Sequence, residues 1–312
     1  MQVIGVDEFG GPEALKSFIV PEPHAGPGEV RIRVRAAAVN PTDTFTRNGA
    51  RAEILKAFDP PYVPGMDAAG VLDEIGPDVK TTLRVGDSVV AIVVPQGGHG
   101  AYSEYIVVPA LSVARMPSGT DFEHACTFPM NALTARLSLD QIGLIPGQTL
   151  AVTGAAGAYG GYVVQLAKAD GLRVIADASD ADMALVTSLG ADVVVRRGDD
   201  VASRILEAEP SGVDAIADGS VQNELLFPAI RDGGQLVSVR GFAGDSPRAI
   251  VVHQTWVREY ATEQTKLEKL CEQVANGVLT LRVAQSFPAE AAHEAHRILQ
   301  AGGTRGRLVL RF

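Results

Sequence analysis

The first third of the chain is built of short runs in which apolar and polar residues alternate, the two-residue period of half-buried strands. Residues 29–38 (EVRIRVRAAA) carry this period most clearly, and 88–94 repeat it after the turn Val85-Gly86-Asp87. Gly and Pro break the runs up to about residue 120, and short strands at this spacing predict a small barrel or sandwich. Near Asp121 the pattern changes. Apolar runs now alternate with helical stretches, the mark of a parallel α/β sheet. Strands are expected at Thr149–Thr153, 173–176, 192–195, 213–217, 235–239 and 249–252. From about Thr255 the spacing predicts a helix near 263–276, a second near 289–301 and a last strand at 307–312. The domain reading is therefore discontinuous: 1–122 with 256–312 as one domain, and 123–255 as another of doubly wound type.

Between the first two α/β strands lies the densest motif. Thr149–Thr153 (TLAVT) runs into Gly154-Ala155-Ala156-Gly157-Ala158-Tyr159-Gly160-Gly161, and an apolar helical stretch, YVVQLAKA, follows. Small residues at 155, 157 and 160 fit the dinucleotide fingerprint, in which backbone N–H groups and a helix N-terminus face a pyrophosphate. An acid, Asp177, closes the next strand, as the motif requires. A glycine turn used only for close packing is the plainer reading, and this context disfavours it.

Composition narrows the classes. The chain has 312 residues, 46% of them hydrophobic and 21% charged, with a formal net charge of −10. This charge argues against a nucleic-acid partner, which would need a basic face. Cys126 and Cys271 are the only cysteines, so no disulfide framework or Cys-rich metal cage is expected, and two thiols suit a reducing compartment. No signal-peptide pattern and no run of 18 apolar residues is seen, so a cytoplasmic protein without a membrane partner is expected.

Seven segments, spread nearly end to end, carry a family resemblance: AAAVNPTDTFTRNG (36–49), YVPGMDAAGVLDEIG (62–76), VGDSVV (85–90), GAYSEYIVVPA (100–110), GQTLAVTGAAGAYGG (147–161), DGGQLVSV (232–239) and GTRGRLVLRF (303–312). With them the chain resembles the quinone-oxidoreductase (zeta-crystallin-like) branch of the medium-chain dehydrogenase/reductase superfamily. The resemblance implies a β-rich GroES-like catalytic domain interrupted by a six-stranded Rossmann domain, a nicotinamide cofactor, a small-molecule substrate and a homodimer. It also implies cofactor contacts from Asn40, Thr134, Ala155, Gly157, Ala158, Tyr159, Gly160, Asp177, Ser179, Arg196, Arg197, Gly219, Val239, Arg240 and Arg307.

Zinc-dependent relatives place a Cys, a His-Glu pair and a further Cys or His where this chain has Asn40, Met66-Asp67 and Met130. An amide and two thioethers do not make the site zinc takes, so no metal is expected. His293 and His296, three apart on a helix, are read as a solvated face. Without a Lewis acid, reduction of an acceptor already made electrophilic by conjugation is favoured over alcohol oxidation. Asn40 is the first catalytic candidate, through its amide N–H₂, although an Asn before Pro41 also starts turns. Tyr62 is the second, as a proton donor, with a half-buried ring beside Pro61 as its plainer reading. Phe45 stands where similar reductases often have Tyr, and Tyr159 where they usually have Val. Cys126 is read as a small core residue.

The two nicotinamides receive conflicting signals. Asp177 sits where an acid accepts from a ribose 2′-OH and repels a 2′-phosphate, which favours NADH. Met183 replaces a Lys that some NADPH-using relatives carry. Arg196-Arg197, closing the third strand, suit a phosphate, and the family habit is NADPH. Two other functions compete with a quinone or enone reductase: an enoyl-thioester reductase, and a non-catalytic nucleotide-binding protein.

Overall fold

The computed structural model describes residues 1–312. They divide into two compact units. The first comprises Met1–Met130, Arg258–Ala275 and Leu281–Phe312, and the second Asn131–Val257 with Asn276–Thr280. The division thus falls after Met130, not after residue 122 as expected from the change of pattern. The short piece Asn276–Thr280 joins the second unit because Gln165 holds it. Gln165 Nε2 donates to Thr280 Oγ1 at 2.9 Å, and Thr280 N–H donates to Gln165 Oε1 at 3.2 Å.

The first unit is organised by the strand Glu29–Val39. It pairs antiparallel with Asp67–Ile75, Tyr105–Pro109 and Arg307–Arg311, within a sheet that continues through Ser88–Ile92 to Val113–Arg115 and, beyond Arg307–Arg311, to Val283–Pro288. Its alternation is legible at Val30, Ile32 and Val34, which are buried, with less buried arginines between them. From Ala36 onward every residue is buried, because that end is covered on both faces, and there the sequence turns uniformly apolar. The core beneath gathers Val3, Ile32, Leu72, Tyr102, Phe287, Leu308 and Leu310, so residues from both ends of the chain complete it.

The second unit holds six parallel strands in the order Val193–Arg196, Arg173–Ala178, Thr149–Thr153, Val213–Asp218, Ile230–Ser238, Val251–Gln254. Counted along the chain the order is 3-2-1-4-5-6, that of a dinucleotide-binding doubly wound sheet. All five residues of Thr149–Thr153 are buried, which is why this central strand shows no alternation. The order reverses between Thr149–Thr153 and Val213–Asp218, and such a switch point opens a crevice at the carboxyl ends of the strands. No helix in the chain is long and apolar enough to cross a membrane.

Candidate active site

In the second unit, the turn after Thr149–Thr153 lies at the switch point. Gly154 starts it at φ +66°, where a side chain would be strained, and a Cβ there would also stand 2.9 Å from the carbonyl carbon of Gly219. Gly160 packs the first helical turn onto the loop: its Cβ would meet Gly154 O at 2.4 Å and Ala155 Cα at 2.8 Å. Gly157 differs from both. It is the N-cap of the helix Ala158–Ala169, with φ −70° and ψ 175°, a conformation open to any residue. Its Cβ would have one near neighbour, Gly154 O at 3.1 Å. Backbone geometry does not demand glycine there and the contact is less close than at Gly154 or Gly160, so the bare backbone leaves room for a ligand to approach. A helix N-terminus at the same point supplies N–H groups without intrahelical partners. These features fit a dinucleotide pyrophosphate.

Most of the expected cofactor residues gather at this one edge, each at or just past the end of a strand: Ala155, Gly157, Ala158, Tyr159 and Gly160 after Thr153; Asp177 and Ser179 around Ala178; Arg196 and Arg197; Gly219 after Asp218; Val239 and Arg240 after Ser238. Thr134 lies buried on the helix Pro129–Ile142, its carbonyl accepting from Ser138 Oγ at 2.8 Å. Tyr159 turns its phenol away from solvent and donates to Ser138 Oγ at 2.9 Å; burial raises its pKa, so it stays a neutral donor. Arg196 and Arg197 are exposed, Arg196 lying 3.4 Å from Asp180. Their backbone is fixed, since the carbonyls of Arg196 and Arg197 both accept from Arg204 Nη1, at 2.7 and 3.2 Å. Ser179 donates to Asp182.

Asp177 stands at its expected place, with its side chain turned inward. The side chain is 4% exposed, and its Oδ1 accepts from Ala155 N–H at 3.1 Å. Burial raises its pKa, while the Ala155 hydrogen bond and the charge of Arg197 oppose that shift.

The first unit contains a second polar assembly, buried throughout. Asn40 is the N-cap residue of the helix Pro41–Arg47 and is inaccessible to solvent. Its N–H donates to Asp43 Oδ2 at 2.7 Å, and its Nδ2 donates to Asp67 Oδ2 at 2.7 Å and, more weakly, to Ala38 O at 3.4 Å. The amide that sequence reasoning offered to a substrate carbonyl is thus turned onto a buried carboxylate, and the turn-starting reading describes its backbone. Asp67 Oδ1 accepts from Met130 N–H at 2.6 Å, and Met66 Sδ accepts from Thr42 Oγ1 at 3.1 Å. The expected counterparts of a zinc site are therefore adjacent, but as a closed set of hydrogen bonds. An amide, a thioether and a carboxylate already holding two N–H groups are not the donor set zinc takes. No group of three or more His, Cys, Asp or Glu side chains is arranged to hold a metal ion.

Asp43 accepts twice more, from Gly65 N–H on Oδ1 and from Tyr102 Oη on Oδ2, both at 3.1 Å. Tyr102 Oη also lies 3.1 Å from His296 Nε2, and His296 Nδ1 lies 3.4 Å from Arg47 Nη1. A guanidinium only donates, so Nδ1 accepts and Nε2 carries the proton. The chain then has one direction: Arg47 to His296, His296 to Tyr102, Tyr102 to Asp43. Burial and the neighbouring Arg47 charge push His296 down to about 3, keeping it neutral. Burial pushes Asp43 up to about 6 against its three hydrogen bonds, and Asp67 up to about 7 against Met130, Asn40 and Arg307. Arg307 belongs to this assembly by its charge.

His296 corrects a second expectation. It is fully buried and not part of a solvated face, whereas His293 is only half-buried. The signal was present: Ala292, Ala295 and His296 are spaced as one helix face, and all three are buried. Tyr62 stacks on Phe9, with ring centroids 5.3 Å apart, and its hydroxyl donates to Phe58 O at 3.3 Å. The ring is half-buried as expected, with Phe9 as its stacking partner. Cys126 is a buried core residue whose thiol is pushed far up by burial.

The family description "Alcohol dehydrogenase GroES-like domain" matches residues 26–118, and "Zinc-binding dehydrogenase" matches 189–310. A quinone oxidoreductase of Pseudomonas aeruginosa is 30% identical, covering 97% of both chains. An NADPH-dependent alkenal/one oxidoreductase of Arabidopsis thaliana is 33% identical over 75% of this chain and 61% of its own. Among solved structures, an NAD-dependent alcohol dehydrogenase has a TM-score of 0.88 at 29% identity, covering all of both chains. A mycobacterial protein solved with NADPH has a TM-score of 0.87 at 27% identity, again over all of both chains.

Proposed function

Since the chain belongs to the quinone-oxidoreductase branch of the medium-chain dehydrogenase/reductase superfamily, and is thus an NADPH-dependent oxidoreductase, we propose that it reduces quinones or α,β-unsaturated carbonyls without zinc. The observation that carries this reading is the closed set Asn40–Asp67–Met130. Where an alcohol dehydrogenase would polarise its substrate with a metal, this chain has a carboxylate already held by two N–H groups. An alcohol then lacks a stabilised alkoxide, while a conjugated acceptor spreads its developing charge without help.

When bound, NADPH supplies the hydride. The protein's own residues bind and orient. The N-terminus of Ala158–Ala169 and the bare backbone at Gly157 take the pyrophosphate. Arg196 and Arg197, exposed on a loop pinned by Arg204, suit a 2′-phosphate. Asn40 acts as a positioning residue: it caps Pro41–Arg47 and holds Asp67. The proton that completes the reduction comes from solvent. The family resemblance supports a homodimer, which light scattering on the purified protein would test.

The test of the reaction is a screen. NADPH oxidation is followed with a 1,4-quinone, an enal, an enone and an enoyl thioester, and NADP⁺ or NAD⁺ reduction is followed with simple alcohols. Turnover of the quinone or the enone is expected. Activity confined to the thioester would move the protein to carrier-linked chemistry. Alcohol oxidation abolished by a chelator would overturn the zinc-free reading.

A further inference from the structure

An acid at the end of the second strand of a doubly wound sheet is ordinarily read as the group that accepts from the ribose 2′-OH and so selects NADH. Asp177 stands at that place in the sequence, yet its geometry serves another purpose. The strand Arg173–Ala178 pairs with Thr149–Thr153, with Val152 opposite Ala176. Asp177 therefore emerges beside the start of the glycine turn. Its Oδ1 accepts from the N–H of Ala155, a residue with no solvent exposure and hence no water to replace that acceptor. Gly154 N–H also bears on the carboxylate. The other charges acting on it are Arg197, which favours its ionised form, and Asp218, which opposes it. Side chains alternate along the strand, so Ala178, not Asp177, occupies the opposite face, together with its ladder partner Arg196. Arg197 follows Val195, the ladder partner of Asp177, by two residues; it stays exposed while its N–H is held by Ala178 O at 2.8 Å.

We propose that Asp177 is a positioning residue that holds the glycine turn in its binding conformation, and that it does not discriminate between NADH and NADPH. The proposal rests on the reading that the nucleotide binds on this turn. It resolves the conflict in the sequence: the acid that favours NADH is turned inward, while Arg197, like Arg196, is left exposed at the same strand ends.

Four proteins test it: the parent, Asp177→Asn, Asp177→Val and Arg197→Ala. Affinities for NADPH and NADH are measured by calorimetry and by quenching of Trp256, the sole tryptophan. Exchange of the Ala155 amide is followed by hydrogen–deuterium measurements. Asp177→Val is expected to weaken both nucleotides by the same factor, about tenfold, as for the loss of one buried hydrogen bond, and to speed exchange at Ala155. Asp177→Asn keeps an oxygen acceptor at the same place and is expected to retain both affinities and their ratio. Arg197→Ala is expected to weaken NADPH alone. If Asp177→Asn raises the preference for NADPH about tenfold or more, as removing a selector acid would, the proposal is overturned. Asp177→Asn decides this by itself if Asp177→Val does not fold. A parent protein that binds neither nucleotide would remove the glycine-turn reading, and the proposal with it, before any variant is compared.

Discussion

Replacing Tyr102 by Phe removes one oxygen from the middle of the buried chain Arg47–His296–Tyr102–Asp43 and changes almost no volume. Two groups lose their partner together: the Nε2–H of His296 and one acceptor site on Asp43. Tyr102 and His296 are 0% exposed and Asp43 1%, so water cannot substitute. An unsatisfied buried donor costs about 1–3 kcal/mol, and a hydrogen bond to a charged group contributes about 1.5–3. Because the ring still fills its space, no cavity adds to this, and a loss of roughly 3 kcal/mol is expected. For a domain of 150–250 residues this corresponds to about 6–12 °C in Tm. Calorimetric melting and urea unfolding of parent and variant measure it directly. A second readout is the carboxylate: with one fewer donor, Asp43 should titrate higher than in the parent, visible by carbon NMR of the labelled side chain. A Tm within about 1 °C of the parent, far below the magnitude worked from two orphaned groups, would refute the directed chain.

Other consequences can be checked with single variants. Gly160→Ala should lower Tm, since its Cβ meets backbone atoms at 2.4 and 2.8 Å, whereas Gly157→Ala, whose Cβ meets only Gly154 O at 3.1 Å, should lower Tm less and weaken NADPH about tenfold or more by occupying the ligand's side of the turn; equal NADPH affinity in Gly157→Ala and the parent would show that nothing approaches that backbone. Asp67, held near 7 when folded against 3.8 otherwise, keeps a proton that the unfolded chain lacks, so its contribution falls as pH rises from about 4 to about 7. His296, at about 3 when folded against 6.5, acts oppositely, and its contribution falls as pH drops below 6.5. Asp67→Asn should therefore compare more favourably with the parent at pH 8 than at pH 5, and His296→Gln more favourably at pH 5 than at pH 8; parallel stability curves would exclude both assignments. Elemental analysis should find no stoichiometric zinc, and EDTA should leave Tm and turnover unchanged.

What could be read from the chain was whatever depends on local period. The parallel strands, the glycine turn and the closing helices of the first unit follow from spacing alone, because a buried strand or a helix face imposes its pattern on consecutive residues. The strand Ile230–Ser238 began five residues before the expected 235 because Gly233-Gly234 look like a turn, yet the ladder to Val213–Asp218 runs past them with a shift of register. The polar assembly was less legible. Asn40, Asp43, Asp67, Tyr102 and His296 are brought together by pairing across the sheet and by a helix from the chain's far end, and no spacing rule links position 43 to position 296. Direction was the other gap. Sequence placed Asn40 and Asp177 at the right elements, but whether a side chain turns toward a ligand or toward a buried N–H depends on the neighbouring strand. His296 was the exception, since its helix face was already apolar around it.

The strand Glu29–Val39 leaves a problem of timing during synthesis. Its partner Arg307–Arg311, and the helix that delivers His296 to Tyr102, lie far downstream in the sequence and emerge long after it. Until they do, the edge at Ala36–Val39 has open hydrogen-bonding groups, and Arg47 has no imidazole beside it. The second unit, nearly continuous from Asn131 to Val257, is complete well before that moment. The expected order of folding is therefore inside-out: the parallel sheet of the second unit can close first, while the edge at Ala36–Val39 stays open to other chains until Arg307–Arg311 arrives.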